Sequence, residues 1–207
     1  MKCPSFSRRL PTLVATALLA VAALACSTTQ APSKTSVWKL DNDASDLRFV
    51  TTKNTNVAEV QKFKRLAGEV GPDCAVKLVI ELASVDTQVP IRNERMQTLL
   101  FEVARFPTAE FSAVIDMNPV RGLDVGASVD VELAGKLAVH GQSQDAKASL
   151  RVVKLSGNRL LVMTRAPILI DASKYELSPG IEKLREIMAL PNIVGTVPVN
   201  FALVFQK

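Results

Sequence analysis

Few residues of this sequence are of a type that could do chemistry. The one histidine, His140, stands directly before Gly141 at the end of a predicted strand, where we expect a solvated turn residue. Without it no Ser-His-Asp triad can be assembled, and no Cys/His cluster that would bind zinc or haem is present. No glycine-rich phosphate-binding loop occurs. The sequence therefore predicts no catalytic residue, no metal site and no cofactor, and we expect that the protein is not an enzyme.

Two arginines, Arg92 and Arg95, are the candidates for binding the head group of a ligand. A guanidinium presents a planar fork of donors that matches the oxygens of a phosphate. Ordinary surface pairing with carboxylates is the alternative for both side chains. Three acids in the same region, Glu94, Glu102 and Glu110, fall on the polar faces of a predicted helix and strand, where acids are usually solvated.

Cys26 indicates a different kind of chemistry at the N terminus. A basic segment with Lys2, Arg8 and Arg9 precedes an apolar run at residues 13–24, which is too short to span a bilayer comfortably. The run ends in the sequence ALAC, and small residues before a cysteine are typical of bacterial lipoprotein signals. We predict that residues 1–25 are a lipoprotein signal peptide and that Cys26 is acylated, with palmitate among the attached chains. The alternative is an ordinary signal peptide cleaved near Ala25.

Residues 26–36 are polar and lack apolar periodicity, which predicts a flexible tether. Ser27 is similar to the residue that directs lipoproteins to the outer membrane, so we expect an outer-membrane lipoprotein on the periplasmic side of the envelope, attached through its N-terminal lipid. Removal of the leader takes away three basic residues and lowers the formal net charge from +5 to +2. No basic run typical of nucleic-acid binding remains. An acylated Cys26 could not form a disulfide with Cys74, which we interpret as a small filler at a strand start.

Residues 37–207 contain segments in which apolar and polar residues alternate with a period close to two, which is typical of half-buried strands. We predict strands at residues 37–40, 45–52, 57–70, 75–82, 109–115, 128–140, 146–155, 159–165, 166–171 and 196–205. Ser156–Asn158 is predicted to turn a hairpin, and Gly135 to form a bulge or sharp bend. An all-β fold with antiparallel strands, either a sandwich or a closed barrel of about eight strands, follows from this pattern.

One or two short helices are expected to flank or cap the sheet. Apolar residues at three- to five-residue steps predict a helix from Ile91 that ends at Pro107, where the proline ring removes a donor. A second helix is predicted to begin with Ser178 as N-cap and Pro179 at the first helical position, and to stop at Pro191.

The inward faces of the predicted strands carry mostly medium-sized side chains, and aromatic residues make up only 5% of the chain. A barrel of about eight strands either fills its interior with side chains or holds one small ligand. So few aromatic residues favour an unfilled apolar cavity. The candidate ligand-binding residues are Phe49, Val60, Phe63, Leu78, Ile80, Phe111, Ala113, Leu133, Leu137, Phe201 and Leu203.

Residues 38–205 resemble the YceI-like family of bacterial periplasmic proteins. The matching segments are WKLDNDASDLRF, VAEVQKFKRLAGEV, IRNERMQTLLFEVARFPTAEF, VELAGKLAVHGQSQDAKASLRV and VPVNFALVF, in that order. The resemblance implies an extended, lipocalin-like antiparallel barrel whose long apolar tunnel binds a polyisoprenoid such as a quinone or a polyprenyl phosphate. This chain departs from the family pattern at Ala44, where many members have His, at Asn93, where many have Asp, and in the extra helix between residues 168 and 190.

Three functions are therefore considered. The first is a carrier that holds an isoprenoid lipid in a continuous tunnel. The second is a structural or partner-binding envelope lipoprotein with a filled barrel, and the third is an enzyme acting on a bound lipid, which would need an acid-base pair at the tunnel mouth. We expect the carrier, with the isoprenoid lipid and the membrane as its partners and with a homodimer as an open alternative.

Overall fold

Strands dominate residues 37–207, the part of the chain that the computed structural model describes. Their bounds are β1 (Trp38–Lys53), β2 (Val57–Phe63), β3 (Leu66–Val70), β4 (Ala75–Glu81), β5 (Val85–Asp86), β6 (Thr108–Val114), β7 (Ser128–Val139), β8 (Gln142–Leu155), β9 (Arg159–Thr164), β10 (Ile168–Asp171) and β11 (Thr196–Gln206). Every named strand pair is antiparallel. The predicted signal peptide, tether and Cys26 lie outside the described residues.

Eight of these strands close into a barrel in the order β1-β3-β4-β6-β7-β8-β9-β11, because β11 pairs with both β9 and β1. Three strands extend the barrel at one end. β2 pairs with the second half of β1, β5 pairs with β2, and β10 pairs with the first half of β11. The prediction of an antiparallel barrel of about eight strands with short helices is confirmed, and the sandwich alternative is wrong.

β1 is one long strand where the sequence predicted two. Its pairing with β11 shifts register between Asp41 and Asp46, so the polar residues between them interrupt the alternation without ending the strand. Ser45 satisfies the backbone at this irregularity, since its Oγ donates to Asp41 O at 2.6 Å and accepts from Val204 N at 3.0 Å. The segment 57–70 shows the opposite error, because the chain breaks at residues 64–65 into β2 and β3.

Within residues 37–207, no ladder of backbone hydrogen bonds joins β8 to β10. β9 pairs with β8 only from Leu150 onward, and β10 pairs with β11. A 3-10 turn, Ala172–Tyr175, packs against this part of β8, where Gln144 Nε2 donates to Lys174 O at 3.2 Å. The barrel wall is therefore held here by side-chain contacts instead of a continuous ladder.

The helices cover the two ends of the barrel. α1 (Pro90–Arg95) continues as one π-helical turn, Met96–Leu100, so the first helix ends well before Pro107. α2 (Asn118–Arg121) is a short helix between β6 and β7. α3 (Ser178–Ile187) has Leu177 as N-cap with no side-chain cap, so the predicted Ser178 cap is wrong, although the predicted helix is present.

Packed side chains cover the end of the barrel near Trp38, and some of them also line a second pocket of about 300 Å³. Met117 and Val120, from α2 and the residue before it, are buried against Val70, Cys74 and Leu160. Cys74 is 2% exposed, as the filler interpretation predicted, but it is disulfide-bonded, so the expectation that it lacks a disulfide partner is wrong. Within the described chain, no helix is both long enough and apolar enough to cross a membrane.

Candidate functional site

An apolar cavity occupies the barrel interior. The volume of this cavity is about 290 Å³. Inward-facing side chains of the strands form its wall, because alternate residues of a strand point to the same face. The lining is apolar over most of its length and includes Leu47, Val76, Leu150, Val162, Val197, Val199 and Phe205 besides the predicted residues.

Nine of the eleven predicted ligand-binding residues line this cavity. They are Phe49, Phe63, Leu78, Ile80, Phe111, Leu133, Leu137, Phe201 and Leu203. Their contact with a ligand stays a prediction, but their placement agrees with the expected inner face. Phe49 and Phe63 stack with ring centroids 5.2 Å apart, and Phe63 lies 5.8 Å from Phe101 of the covering segment.

Val60 and Ala113 do not line the cavity, so the prediction is wrong for both. Val60 is 59% exposed, because the inward positions of β2 are those of Glu59, Gln61 and Phe63 and residue 60 has the opposite parity. Ala113 shares the inner face with Phe111, but its short side chain packs against the cluster around Leu133 instead of reaching the open space.

Gly135 is needed because two strands approach each other closely beside Ala113, and not because of the predicted bulge. The register of β6 with β7 shows no irregularity there, and Gly135 lies directly opposite Ala113. A Cβ on Gly135 would be 2.3 Å from Ser112 O and 2.8 Å from the Cβ of Ala113. The glycine therefore allows a close approach of two strands.

The covering segments supply lining residues that strand periodicity missed. Met96, Leu100 and Phe101 enter the cavity wall from the π-helical turn and the residue after it. Ile181, Leu184 and Met188 enter from α3. The signal for them was the apolar stripe of each predicted helix, which needs a surface to pack on. Tertiary structure decides that this surface is the cavity itself.

One end of the cavity is polar. Lys53 from β1, Glu59 and Gln61 from β2 and Arg92 from α1 all line it there. Glu59 lies between the two cations: Lys53 Nζ is 3.0 Å from its Oε1, and Arg92 Nη1 is 2.6 Å from its Oε2. Arg92 Nη2 also donates to Thr87 O at 2.7 Å. Of these side chains only Arg92 was a candidate from the sequence.

Lys53 and Arg92 stabilise the ionised form of the Glu59 carboxylate. Burial alone would raise the pKa of Glu59, but the hydrogen bond from Lys53 and the positive charges of Arg92 and Lys53 outweigh it. The pKa of Glu59 therefore lies below its ordinary value, and the carboxylate stays ionised at neutral pH.

Two buried atoms at the polar end have no hydrogen-bond partner within the described residues: Oε1 of Gln61 and Nε of Arg92. The Gln61 residue is only 4% exposed, and its Nε2 donates to Thr51 Oγ1 at 2.8 Å. Arg95, the other head-group candidate, does not line the cavity, and its contact with a head group stays a prediction.

An exposed residue also lines the cavity near the polar end. Val194 lines the cavity and is 37% exposed. The segment that contains it is fastened to the end of β1, since Val194 N donates to Thr52 O at 2.8 Å and Asn54 N donates to Asn192 O at 3.2 Å. Met188, Leu190 and Ile193 also line the cavity.

His140 is placed differently from the expectation. Its side chain is 10% exposed, its ring lies 4.4 Å from that of Phe106, and its Nε2 is 3.7 Å from Glu102 Oε1. The loop after the π-helical turn covers it, so it is not solvated. His140 is not among the residues that line the cavity. Across residues 37–207, no group of three or more His, Cys, Asp or Glu side chains could hold a metal ion.

Comparison with known proteins agrees with the geometry. A polyisoprenoid binding domain from Saccharophagus degradans, implicated in plant cell wall breakdown, is 38% identical, with a TM-score of 0.80 over 82% of this chain and 98% of its own. BcnA of Burkholderia cenocepacia is 20% identical, with a TM-score of 0.58 over 80% of this chain and 98% of its own, and shares the fold. Among curated proteins, none matches the chain. The family model of the YceI-like domain matches residues 38–205, and the chain therefore belongs to the YceI-like domain family.

Proposed function

We propose that this protein is a bacterial envelope lipoprotein that carries an isoprenoid lipid in its barrel. The observation that carries the proposal is the cavity, which is apolar over most of its length and has a polar end lined by Lys53, Glu59, Gln61 and Arg92. The Saccharophagus degradans domain, described as polyisoprenoid binding, supports the choice of ligand class. The protein acts by binding and not by catalysis.

An isoprenoid tail suits this cavity because the tail is long, narrow and free of polar atoms. Burial of apolar surface contributes about 25 cal/mol for each Å² removed from water. The wall offers branched aliphatic and phenylalanine side chains throughout, so the affinity comes from the tail. The polar end then has the separate task of positioning the head group.

The membrane is the second proposed partner, through acylation of Cys26 and retention on the periplasmic side of the outer membrane. Stable attachment by lipid normally needs two acyl signals, which a modified N-terminal cysteine supplies. A homodimer stays a prediction. Light scattering coupled to size-exclusion chromatography tests it by measuring the molar mass in solution.

A matched pair of variants tests the carrier against the filled-barrel alternative. Val199 lines the cavity, whereas Val114 on β6 is 73% exposed. Val199→Trp is expected to lower the affinity for an isoprenoid alcohol at least tenfold, because the indole occupies the space of the tail. Val114→Trp is expected to leave it within twofold. The affinity is measured by titration of the purified full-length protein with geranylgeraniol.

The filled-barrel alternative makes the opposite prediction for Val199→Trp. In a packed interior the added volume costs about 1–3 kcal/mol, and the melting temperature would fall by roughly 2–10 °C. Native mass spectrometry of the protein purified from its own membranes is the second measurement. A sharp loss of stability in Val199→Trp, together with the absence of bound lipid in the wild-type protein, would leave the structural role as the function.

A further inference from the structure

We propose that the polar end of the cavity is a subsite for a hydroxyl head group, one that accepts a hydrogen bond from Arg92 and donates one to Gln61. This inference rests on the proposed function, since the subsite positions the head of the lipid whose tail fills the barrel. A prenyl alcohol and a prenylated hydroquinone share this chemistry.

Arg92 is partly used within the protein. Its Nη1 donates to Glu59 Oε2 at 2.6 Å and its Nη2 donates to Thr87 O at 2.7 Å. Nε is buried and without a partner among the described residues. A ligand that accepts a hydrogen bond from Nε therefore satisfies a buried donor that these residues leave unpaired.

Gln61 offers the complementary atom. It is the next inward residue of β2 after Glu59, and it lines the cavity while being 4% exposed. Its Nε2 is used by Thr51 Oγ1 at 2.8 Å, which leaves Oε1 as a buried acceptor with no donor within residues 37–207. A buried acceptor of this kind is satisfied by a ligand that brings its own proton.

Glu59 sets the charge that a head group meets. Lys53 and Arg92 each hold one of its oxygens, at 3.0 Å and 2.6 Å, so the carboxylate and one cation neutralise each other. A phosphate or pyrophosphate at this place would face the ionised carboxylate, and its ionised oxygens could not donate to Oε1 of Gln61. A quinone carbonyl or an ether accepts from Arg92 but leaves Oε1 of Gln61 unpaired. A hydroxyl satisfies both orphan atoms without adding charge.

Probes that differ only in the head group test the subsite. Geranylgeraniol, geranylgeranyl methyl ether and geranylgeranyl phosphate are titrated into the purified full-length protein under identical conditions. Geranylgeraniol is expected to bind roughly tenfold tighter than the ether, the difference of about one hydrogen bond, and tighter again than the phosphate. A reduced and an oxidised short-chain prenylquinone form a second pair, and tighter binding of the reduced form identifies a hydroquinone as a source of the hydroxyl.

The variant Gln61→Met separates hydrogen bonding from the bulk of the ether methyl. It keeps the length of the side chain and removes the acceptor, so the alcohol and the ether are expected to bind within twofold of each other. The control Gln144→Met changes a glutamine on β8 that does not line the cavity, and the tenfold preference is expected to persist. A preference that survives in Gln61→Met would overturn the subsite.

The outcomes distinguish this inference from the proposed function. Equal affinity for all three head groups, or tightest binding of the phosphate, overturns the hydroxyl subsite and leaves the lipid carrier standing. Failure of every probe to bind, with no lipid found in the protein from its own membranes, overturns the carrier and the subsite together.

Discussion

Glu59 is the single residue on which the polar end of the cavity depends. It joins β2 to β1 through Lys53 and to α1 through Arg92, so one carboxylate connects three elements. Arg92 is 16% and Glu59 32% exposed at the side chain, which places the pair between a surface ion pair and a buried one. Loss of the carboxylate would leave Arg92 with an uncompensated charge in a mostly buried position.

We predict that Glu59→Gln destabilises the domain by about 1–2 kcal/mol at neutral pH, between the values typical of exposed and buried pairs. The pKa of Glu59 is lowered by folding from its ordinary value of 4.5, so its stabilisation is complete above that pH. This stabilisation is lost as the pH falls below 4.5 and through the pKa that Glu59 has in the folded state. Urea unfolding of wild type and variant between pH 7 and pH 3 measures the difference.

The control for this experiment is Glu69→Gln, because Glu69 is an exposed glutamate on β3. Its substitution is expected to change the stability by no more than about 0.5 kcal/mol. A difference between wild type and Glu59→Gln that stays constant down to pH 3 would contradict the role of the ionised carboxylate.

Among the elements, α3 and the π-helical turn act together as the cover of the cavity. Gly180 lies at their contact, and a Cβ built on it would be 2.5 Å from Leu99 O and 2.8 Å from Leu100 Cα. Both neighbours are backbone atoms, which cannot move aside as a flexible side chain would. The helix therefore reaches its position over the cavity because residue 180 has no side chain.

We predict that Gly180→Ala destabilises the domain by about 1–3 kcal/mol through overpacking, although alanine has the higher intrinsic helix propensity. The melting temperature is expected to fall by roughly 2–10 °C. Gly122→Ala is the matched control, since a Cβ there meets nothing within 4 Å. Thermal unfolding followed by circular dichroism measures both, and an unchanged or raised melting temperature for Gly180→Ala would show that the contact is loose.

At the scale of the whole molecule, the two ends of the barrel differ in what they connect to. The predicted tether, residues 26–36, leads into β1 at Trp38, beside the end that α2 covers. β1 then runs sixteen residues to Lys53 at the polar end of the cavity, about 50 Å of strand at 3.3 Å per residue. Trp38 and the polar end of the cavity therefore lie at opposite ends of the barrel.

We predict that Cys26→Ala releases the protein from the membrane into the soluble periplasmic fraction, because the variant cannot be acylated. Fractionation of cells that express wild type or variant measures this, with Ser27→Thr as a control that keeps the cysteine. Unchanged membrane retention of Cys26→Ala would count against the anchor. A peptide that joins Cys26 to Cys74 by a disulfide would also contradict it, since one sulfur cannot carry both bonds.

Much of the inner wall could be predicted because the side-chain period of a strand is two. Leu78 and Ile80, Leu133 and Leu137, and Phe201 and Leu203 are each separated by an even number of residues, so each pair shares one face. Val60 and Phe63 are separated by three, and on one regular strand they cannot both face inward. The parity alone was a signal that one of them pointed outward.

The sequence by itself determined antiparallel strands with an apolar inner face, since both follow from local alternation and turn residues. The choice of a closed barrel over a sandwich came from the pairing of β11 with β1. Only the tertiary structure decided which side chains meet at the polar end. Glu59 and Arg92 lie 33 residues apart, and nothing in the local pattern of either segment records the other. The same holds for α3 as part of the cavity wall, because a helical stripe shows that a surface is covered but not which one. Contacts of this kind depend on long-range pairing of strands, which local periodicity does not encode.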